Sequence, residues 1–419
     1  MKKKAVMSIL ACIMCIGIAA GCSNTGIMAV TDNTAISQIE TSGEKSSGET
    51  ETGTSETGAS DHEGLSAEEA MEADYEEISL DGMTGTVSIT KGGTYLVTGS
   101  SDDCQICINV DEDDSVVLIL DDATICSASS AAIYAESAKE VYLVLKGESS
   151  LSNGGSFDES ETSDISAVIE SKDDLYISGD GSLMISSPSG KGISVNDSLV
   201  IYGGELEIDA GDDGINVNED FVYAGDTLYI KAGDDAIHAD ALLQIDGGTI
   251  NAEAAEGLEA TGICIDGGNI TINATDDGIN AAQKVTDMDV YVEINGGNIT
   301  IVMGQGDTDG IDSNGDLIIN GGTIDITGQS ACDYDGKAEL NGGTLIVNGE
   351  EVTQISNQFM GGGFMQHGDG AFMQRPDDGE FTQQPADGEF PQRPDGGEFA
   401  QQPAEGEFPQ RPDNGGFMP

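Results

Sequence analysis

A repeated turn constrains the fold of this chain more than any other feature of its sequence. Segments such as YGGELEIDAGDDGINV and DGGNITINATDDGINA place a short turn, usually Gly-Gly, before alternating aliphatic residues. The second turn residue recurs at intervals of 20 to 29 residues, mostly near 22, at Gly204, Asp226, Gly248, Gly268, Gly297, Gly322 and Gly343. A period near 22 residues without helical periodicity predicts a β-solenoid.

Each repeat also shows the period-two pattern of short strands with one buried face. Leu243 and Ile245 precede a turn, and Ile270 and Ile272 follow one. A third strand is expected to start at the aliphatic residue of the DDGI-like segments, at Ile215, Ile237, Ile279 and Ile311. Three short strands per coil, each stacked on its counterpart in the next coil, predict an all-β parallel β-helix with about 22 residues per coil.

The repeats are flanked by two segments of different composition. Residues 76–357 are expected to form one continuous domain, because neighbouring coils bury one another's apolar faces. Residues 23–75 are rich in Ser, Thr, Gly and Glu, and they are interpreted as a flexible tether. Residues 358–419 repeat a nine-residue motif, as in GEFTQQPAD and GEFPQRPDG, and this Gly, Pro, Gln and Phe tail is expected to be disordered.

The N-terminus has the pattern of a bacterial lipoprotein signal. Residues 1–22, MKKKAVMSILACIMCIGIAAGC, combine a lysine-rich start, an apolar stretch too short for a membrane span, and small residues before Cys22. We expect Cys22 to be acylated. This anchor would hold a monomeric protein on the outer face of the bacterial cytoplasmic membrane. Ordinary signal cleavage, or an uncleaved anchor that includes Cys22, is the alternative.

The net charge excludes one class of partner. The chain has 77 acidic and 15 basic residues, and its formal charge is −62. Nucleic acid is therefore excluded as a ligand, whereas divalent cations and neutral surfaces stay open.

Stacking the coils in register turns the DDGI carboxylates into a column with about 4.8 Å between neighbours. The predicted column contains Asp213, Asp235, Glu256, Asp277 and Asp309. Asp212, Asp234 and Asp276 are expected beside it, with Asp333 and Asp335 at its end. Like charges at this spacing repel by on the order of 1 kcal/mol per pair in water, and calcium, which prefers several oxygen ligands, would offset that repulsion. The alternative is that Asp and Gly act only as turn residues and that the column is solvated.

Three other groups of residues favour structural roles. A second repeated position, before Gly-Gly, indicates turn chemistry and amide stacking at Asp246, Asp266, Asn295, Asn320 and Asn341. Cys104 and Cys107 have CxxC spacing but are expected on opposite faces of one strand, which favours small buried residues over a zinc or redox site. His238 is interpreted as a surface residue, because no nucleophile or second histidine accompanies it.

The stretch from residue 78 to about 350 resembles the carbohydrate-binding domain family of secreted clostridial proteins, through DGGNITINATDDGINA and its near copies, SAAIYA and GTYLVTG. The resemblance implies a right-handed parallel β-helix similar to pectate lyases, bound calcium, and adhesion to cellulose and acidic plant sugars. The family's acidic calcium-binding turns fall here on Asp212, Asp213, Asp234, Asp235, Asp276, Asp277 and Asp309. AAEGLEA, with Ala255 and Glu256 in place of the pair, and GDTDGID depart from that pattern.

The expected function is polysaccharide binding at the cell surface through a calcium-loaded acidic face. Acidic sugars such as polygalacturonate are favoured over cellulose, because the chain has no Trp and few outward tyrosines such as Tyr202 and Tyr229. A rigid adhesin or scaffold with structural calcium is the alternative. A polysaccharide lyase is less favoured, because it needs a base, usually arginine, and Arg375, Arg393 and Arg411 all lie in the tail.

Overall fold

The computed structural model describes residues 67–357, except for residues 129, 155–156, 158–164 and 306–307. The predicted signal with Cys22, most of the predicted tether and the predicted tail lie outside the described residues. The described chain is a parallel β-solenoid of about 11 turns with about 23 residues per turn, which confirms the predicted fold class. No helix in this part of the chain is long and apolar enough to cross a membrane.

One short helix and a series of strands make up the described chain. The first part contains α1 (Ala67–Glu72), β1 (Tyr75–Ser79), β2 (Gly85–Ile89), β3 (Gly93–Ser101), β4 (Cys104–Asn109), β5 (Ser115–Ser127), β6 (Ile133–Ser137), β7 (Glu140–Lys146), β8 (Glu148–Asn153) and β9 (Ala167–Ser171). The regular coils contain β10 (Leu175–Gly179), β11 (Ser182–Ser187), β12 (Lys191–Val195), β13 (Leu199–Ile201), β14 (Glu205–Ala210), β15 (Ile215–Val217), β16 (Phe221–Tyr223), β17 (Thr227–Lys231), β18 (Asp235–Ala239), β19 (Leu242–Ile245), β20 (Thr249–Ala254), β21 (Glu256–Ala260), β22 (Gly262–Ile265), β23 (Asn269–Ala274) and β24 (Ile279–Ala281). The last coils contain β25 (Tyr291–Ile294), β26 (Asn298–Met303), β27 (Asp309–Ser313), β28 (Asp316–Ile319), β29 (Thr323–Thr327), β30 (Ser330–Tyr334), β31 (Ala338–Leu340), β32 (Thr344–Val347) and β33 (Glu350–Val352).

Three ladders of parallel strands form three faces of the solenoid. Face 1 contains β1, β3, β5, β7 and every third strand from β10 to β31. Face 2 starts at the second half of β3, continues through the second half of β5 and contains every third strand from β8 to β32. Face 3 contains β2, β4, β6 and every third strand from β9 to β30. At the end of face 2, β33 pairs with β32 in the antiparallel sense.

The core is the stack of inward aliphatic side chains that the alternation predicted. Leu243 aligns with Ile263, and Ile263 aligns with Val292, so the register reproduces the spacing read from the sequence. These three side chains are fully buried, and complete burial of an aliphatic side chain contributes roughly 1.5–3 kcal/mol. The long step before Val292 arises between β24 and β25, where the loop that contains Lys284 is inserted.

Glycine is required at the corner between faces 1 and 2. Gly248 has φ of 76°, and a Cβ built there would clash with the backbone oxygen of Gly225. Gly268 repeats this conformation one coil later, with φ of 97°. Only glycine adopts such angles without strain, which explains the repeated second turn residue. Asp226 takes this place in one coil without a positive φ, and its carboxylate accepts a hydrogen bond from the Gly204 amide at 3.3 Å.

The first helix extends the ordered region beyond the predicted boundary at residue 76. Ala70 of α1 is buried against Leu96, Ile119 and Val144, which point outward from face 1. Because these apolar side chains need cover, α1 packs on them, and residues 67–75 are not part of a free tether.

The structure places the residues before Gly-Gly as expected, and of the two cysteines it buries only Cys104. The position before Gly-Gly forms an amide ladder, in which Asn295 donates to Asp266 at 2.8 Å and Asn320 donates to Asn295 at 2.8 Å. Cys104 is buried and Cys107 is partly exposed, so the two thiols lie on opposite faces of β4.

Candidate functional site

The predicted acidic column exists and runs along the edge of face 3. Asp235 aligns with Glu256, and the amide of Asp235 donates to Asp213 Oδ1 at 3.3 Å. Two coils further on, the amide of Asp309 donates to Asp277 Oδ1 at 2.9 Å. We call this the first column. Its carboxylates face one another, and they also accept hydrogen bonds from backbone amides of the next coil.

The expected end of the first column is wrong. Asp309 aligns with Ser330, and Asp333 aligns with Asp312 instead. The reason is that Cys332 occupies the inward position that Ile311 has in the preceding coil, so Asp333 follows the inward residue rather than preceding it. Asp335 lies beyond β30 and outside the first column.

A second column of polar residues lies beside the first, at the outward position directly after the inward residue of each coil. It contains Glu170, Ser194, Asn216, His238, Glu259, Asn280, Asp312 and Asp333. Sequence reasoning missed this column, although the alternation in DDGINV and DDAIHA could have located it. The second column brings imidazole, amide and carboxylate groups against the carboxylates of the first.

Lysine neutralises the first carboxylates of the first column. Lys191 lies one coil before Asp213 and contacts its carboxylate, and its Nζ lies 3.6 Å from Asp212 Oδ2. Oxygen atoms of Asp212, Asp213 and Asp234 lie within 4.8 Å of one another. Carboxylate oxygens at this spacing fit a calcium ion, but the Lys191 ammonium already occupies their vicinity.

His238 is not the surface residue that the sequence predicted. Its side chain is only 15% exposed, and its Nδ1 lies 3.2 Å from Asp235 Oδ2 and 2.5 Å from Glu259 Oε2. Its Nε2 lies 3.1 Å from Asp240 Oδ1. Burial lowers the pKa of His238, but hydrogen bonds to these three carboxylates outweigh it and raise that pKa to about 10.

Lys284 completes the charge balance around His238. Its Nζ lies 2.5 Å from Glu259 Oε1, so both Glu259 oxygens face a cationic side chain. Burial raises the pKa of Glu259, but the hydrogen bonds from His238 and Lys284 prevail and lower that pKa to about 2. Sequence reasoning missed this contact, because Lys284 comes from the inserted loop rather than from a repeated position.

The acidic groups are least compensated in the last coils of face 3. Burial raises the pKa of Asp312 to about 7, and the charges of four nearby carboxylates add to the shift. They belong to Asp277, Asp309, Asp333 and Asp335. Among the ion pairs of residues 67–357, outside the gaps, none involves Asp312, Asp333 or Asp335. We call these five residues the C-terminal acidic cluster; carboxylate oxygens are the hard donors that calcium prefers. The two groups of described residues whose ligand atoms already lie within 4.8 Å of one another do not include this cluster, so an ion here would have to draw its carboxylates together.

Two further surfaces present groups that suit sugar hydroxyls. A groove of about 920 Å³ follows the corner between faces 1 and 2, beside α1, and its lining includes Glu72, Lys146, Glu148, Asp180 and Glu205. On face 2, a smaller depression of about 290 Å³ is lined by outward side chains, including Tyr229, Lys231, Asn251, Thr271 and Asn273. Tyr229 is 44% exposed, so one aromatic ring is available there for stacking.

Comparison with known families then decides the identity of the domain. A family model described as a carbohydrate-binding domain-containing protein matches residues 81–261 and 237–357, which together cover most of the solenoid. The chain belongs to this carbohydrate-binding domain family. The predicted resemblance is thereby confirmed.

One curated protein and one solved structure are similar to this carbohydrate-binding domain protein. A protein of Acetivibrio thermocellus, also described as a carbohydrate-binding domain-containing protein, is 31% identical over 147 residues, or 33% of this chain and 51% of the relative. The chain thus spans about half the length of this curated relative. A solved structure, described as the polysaccharide lyase-like protein from C. thermocellum in a gadolinium derivative, is 26% identical with a TM-score of 0.38, and the match covers 62% of this chain and 87% of that chain.

Proposed function

We propose that this carbohydrate-binding protein attaches to polysaccharide through calcium ions held on face 3. Acidic chains such as polygalacturonate are the favoured ligand, and cellulose is a weaker one. Uronate carboxylates would complete the coordination of a calcium ion that the protein ligates only in part, because calcium takes six to eight oxygen ligands.

The observation that carries this proposal is the C-terminal acidic cluster. A half-buried Asp312 among four other carboxylates is unfavourable as an isolated anion, which is why its pKa is raised to about 7. A divalent cation would remove that cost and keep all five groups ionised. The cluster lies within the region matched by the family model.

The calcium ligands expected from the sequence differ in how well they support the proposal. The set of Asp212, Asp213 and Asp234 would bind calcium only if Lys191 moved aside. At Glu256, the Asn280 amide donates at 2.9 Å, which favours a hydrogen-bonded carboxylate over a metal ligand. Asp276 is exposed beside Asp277 and is available as an additional ligand.

We place the protein on the outer face of the bacterial cytoplasmic membrane, as a monomer acylated at Cys22. A tether of several tens of residues would let the solenoid reach beyond the membrane surface. The lipid anchor would then hold the protein on the cell, and the solenoid would attach the cell to the polysaccharide.

A lyase reaction is disfavoured by the state of the nearby lysines. Proton abstraction next to a uronate carboxyl needs a neutral base. Burial lowers the pKa of Lys284, but its hydrogen bond with Glu259 outweighs burial and raises that pKa, and Asp213 has the same effect on Lys191. Both ammonium groups therefore stay protonated.

A rigid scaffold with structural calcium is the second candidate. The observation that favours it is that Lys191, His238 and Lys284 already neutralise part of face 3 without any ligand. In that case the remaining ions would complete the stack rather than reach a glycan.

The test is retention of the purified protein on immobilised polygalacturonate and on cellulose, in millimolar calcium and in excess chelator. We expect calcium-dependent retention on polygalacturonate. The variant Asp312→Asn should lose most of it, whereas Asp325→Asn, which changes an outward carboxylate on face 2, should bind normally.

Three other results would contradict the proposed calcium-dependent binding and favour another function or another site. Equal retention with and without calcium would place the sugar site elsewhere, at the corner groove or the face 2 depression. No retention by a folded protein would favour the scaffold. A calcium-dependent rise in ultraviolet absorbance from unsaturated uronate products would show a lyase.

A further inference from the structure

Asp235, His238 and Glu259, which we call the histidine cluster, bring one imidazole nitrogen and two carboxylate oxygens together across two adjacent coils. Asp235 and His238 belong to β18, and Glu259 belongs to β21. Their side chains are 12%, 15% and 9% exposed, and one ligand atom from each lies within 4.8 Å of the others.

The orientation of the imidazole ring is fixed from its far side. His238 Nε2 lies 3.1 Å from Asp240 Oδ1, and the Asp240 carbonyl accepts a hydrogen bond from the buried Thr261 hydroxyl at 2.7 Å. A carboxylate that accepts the proton of one ring nitrogen leaves the other nitrogen as the one that can bind a metal ion. In the metal-free protein Nδ1 carries the proton that the Asp235 and Glu259 carboxylates accept, and a bound metal ion would take the place of this proton, which is released to solvent.

We propose that the histidine cluster binds one first-row divalent cation, of the class of Zn²⁺, through His238 Nδ1 and the Asp235 and Glu259 carboxylates. Imidazole together with carboxylate is a donor set for such ions, whereas calcium prefers oxygen alone. The site is thus chemically different from the C-terminal acidic cluster. It does not depend on polysaccharide binding.

The distances suit this ion size after a small adjustment. Tetrahedral coordination with bonds of about 2.0–2.1 Å separates ligand atoms by roughly 3.3 Å. Nδ1 and Asp235 Oδ2 are already 3.2 Å apart, whereas Nδ1 and Glu259 Oε2 are 2.5 Å apart and must separate by several tenths of an ångström. Lys284 holds the other oxygen of Glu259 at 2.5 Å, which leaves Oε2 directed at the cluster.

The position of His238 in the second column makes the site specific to one pair of coils. The aligned residues are Asn216 in the preceding coil and Asn280 two coils later. Those coils therefore lack the imidazole donor. They also show that asparagine fits this register position, so His238→Asn is expected to fold.

The experiment is a titration of the full chain with Co²⁺ and Zn²⁺ in millimolar calcium, followed by calorimetry and by the visible absorption of bound Co²⁺. The wild type should bind one Co²⁺ that calcium does not displace. His238→Asn should weaken that binding by at least about tenfold, and Asp240→Asn, which only orients the ring, should weaken it by about tenfold or more. Asp312→Asn should leave it unchanged.

Equal Co²⁺ affinity of the wild type and His238→Asn would overturn the proposal, because His62 and His367 are present in both. So would displacement of Co²⁺ by calcium, or no binding at all, which would leave an imidazolium as the resident cation. Circular dichroism checks that each variant is folded. Glu259→Gln provides a second ligand deletion, and its unaltered Co²⁺ affinity would also contradict the site.

Discussion

At the scale of single residues, face 3 alternates between compensated and uncompensated carboxylates. Asp213 is paired with Lys191, and Glu259 is paired with both His238 and Lys284. Glu256 and Asp312 have pKa values raised to about 7, mainly by burial and then by neighbouring carboxylates, with Asn280 partly opposing the shift at Glu256. The same polar face therefore contains ion pairs that stabilise the fold and acids that resist ionisation.

Asp312 makes the stability of the cation-free protein depend on pH. Its folded-state pKa of about 7 lies above its unfolded value of 3.8, so the folded state retains a proton that the unfolded state loses. The contribution of Asp312 to the free energy of unfolding therefore falls as pH rises from about 4 to about 7, and is constant above that. Denaturant unfolding in chelator should show a smaller decline over this interval for Asp312→Asn than for the wild type; equal slopes would contradict the raised pKa.

At the scale of strands and turns, the two glycines of a corner are not equivalent. Gly247 and Gly248 are adjacent in one turn, yet only Gly248 has a positive φ and a Cβ position blocked by backbone. A Cβ at Gly247 would meet no atom within 4 Å. Two neighbouring glycines therefore have different reasons to be present.

Alanine substitution at these two glycines tests that difference. Gly248→Ala should lower the free energy of unfolding by about 1–3 kcal/mol, because it forces a strained backbone. Gly247→Ala should change it by less than about 1 kcal/mol, with a gain expected from the less flexible unfolded chain. Chemical denaturation of both variants gives the comparison, and equal changes in the free energy of unfolding would show that the positive φ of Gly248 does not make glycine necessary there.

The sequence predicted these elements better than it predicted the site. Inward residues such as Ile263 and Val292 alternate with polar ones, so their spacing alone predicted the register and the first column. Asp333 was misplaced because Cys332, a small residue, occupies an inward position that aliphatic residues fill elsewhere. The contact of Lys284 with Glu259 depends on the conformation of an inserted loop, which the repeat pattern does not predict.

At the scale of the whole molecule, each coil contacts only its neighbours, so stability is close to a sum of local terms. Loss of the proposed calcium from the C-terminal acidic cluster should therefore loosen the last coils without loosening the first. Ion binding at a concentration of about 100 times Kd would stabilise the folded state by about 2.7 kcal/mol.

Hydrogen exchange with and without chelator measures that local effect. Amides of β27 and β30 should exchange faster in chelator, and amides of β12, where Lys191 provides a fixed charge, should not change. Uniform acceleration along all faces would mean that the solenoid responds as one cooperative unit. No change anywhere would mean that calcium does not bind this cluster.

The reversed direction of β33 limits end-to-end association between molecules. Val352 of β33 lies against Leu345 of β32, and this antiparallel pair covers the last strand of face 2. An uncovered parallel ladder is a template onto which another copy can add its own strands. Because the chain folds back here, the C-terminal end of face 2, as far as the structure describes it, presents an antiparallel strand rather than a parallel edge, and this opposes head-to-tail addition of a second molecule at that end.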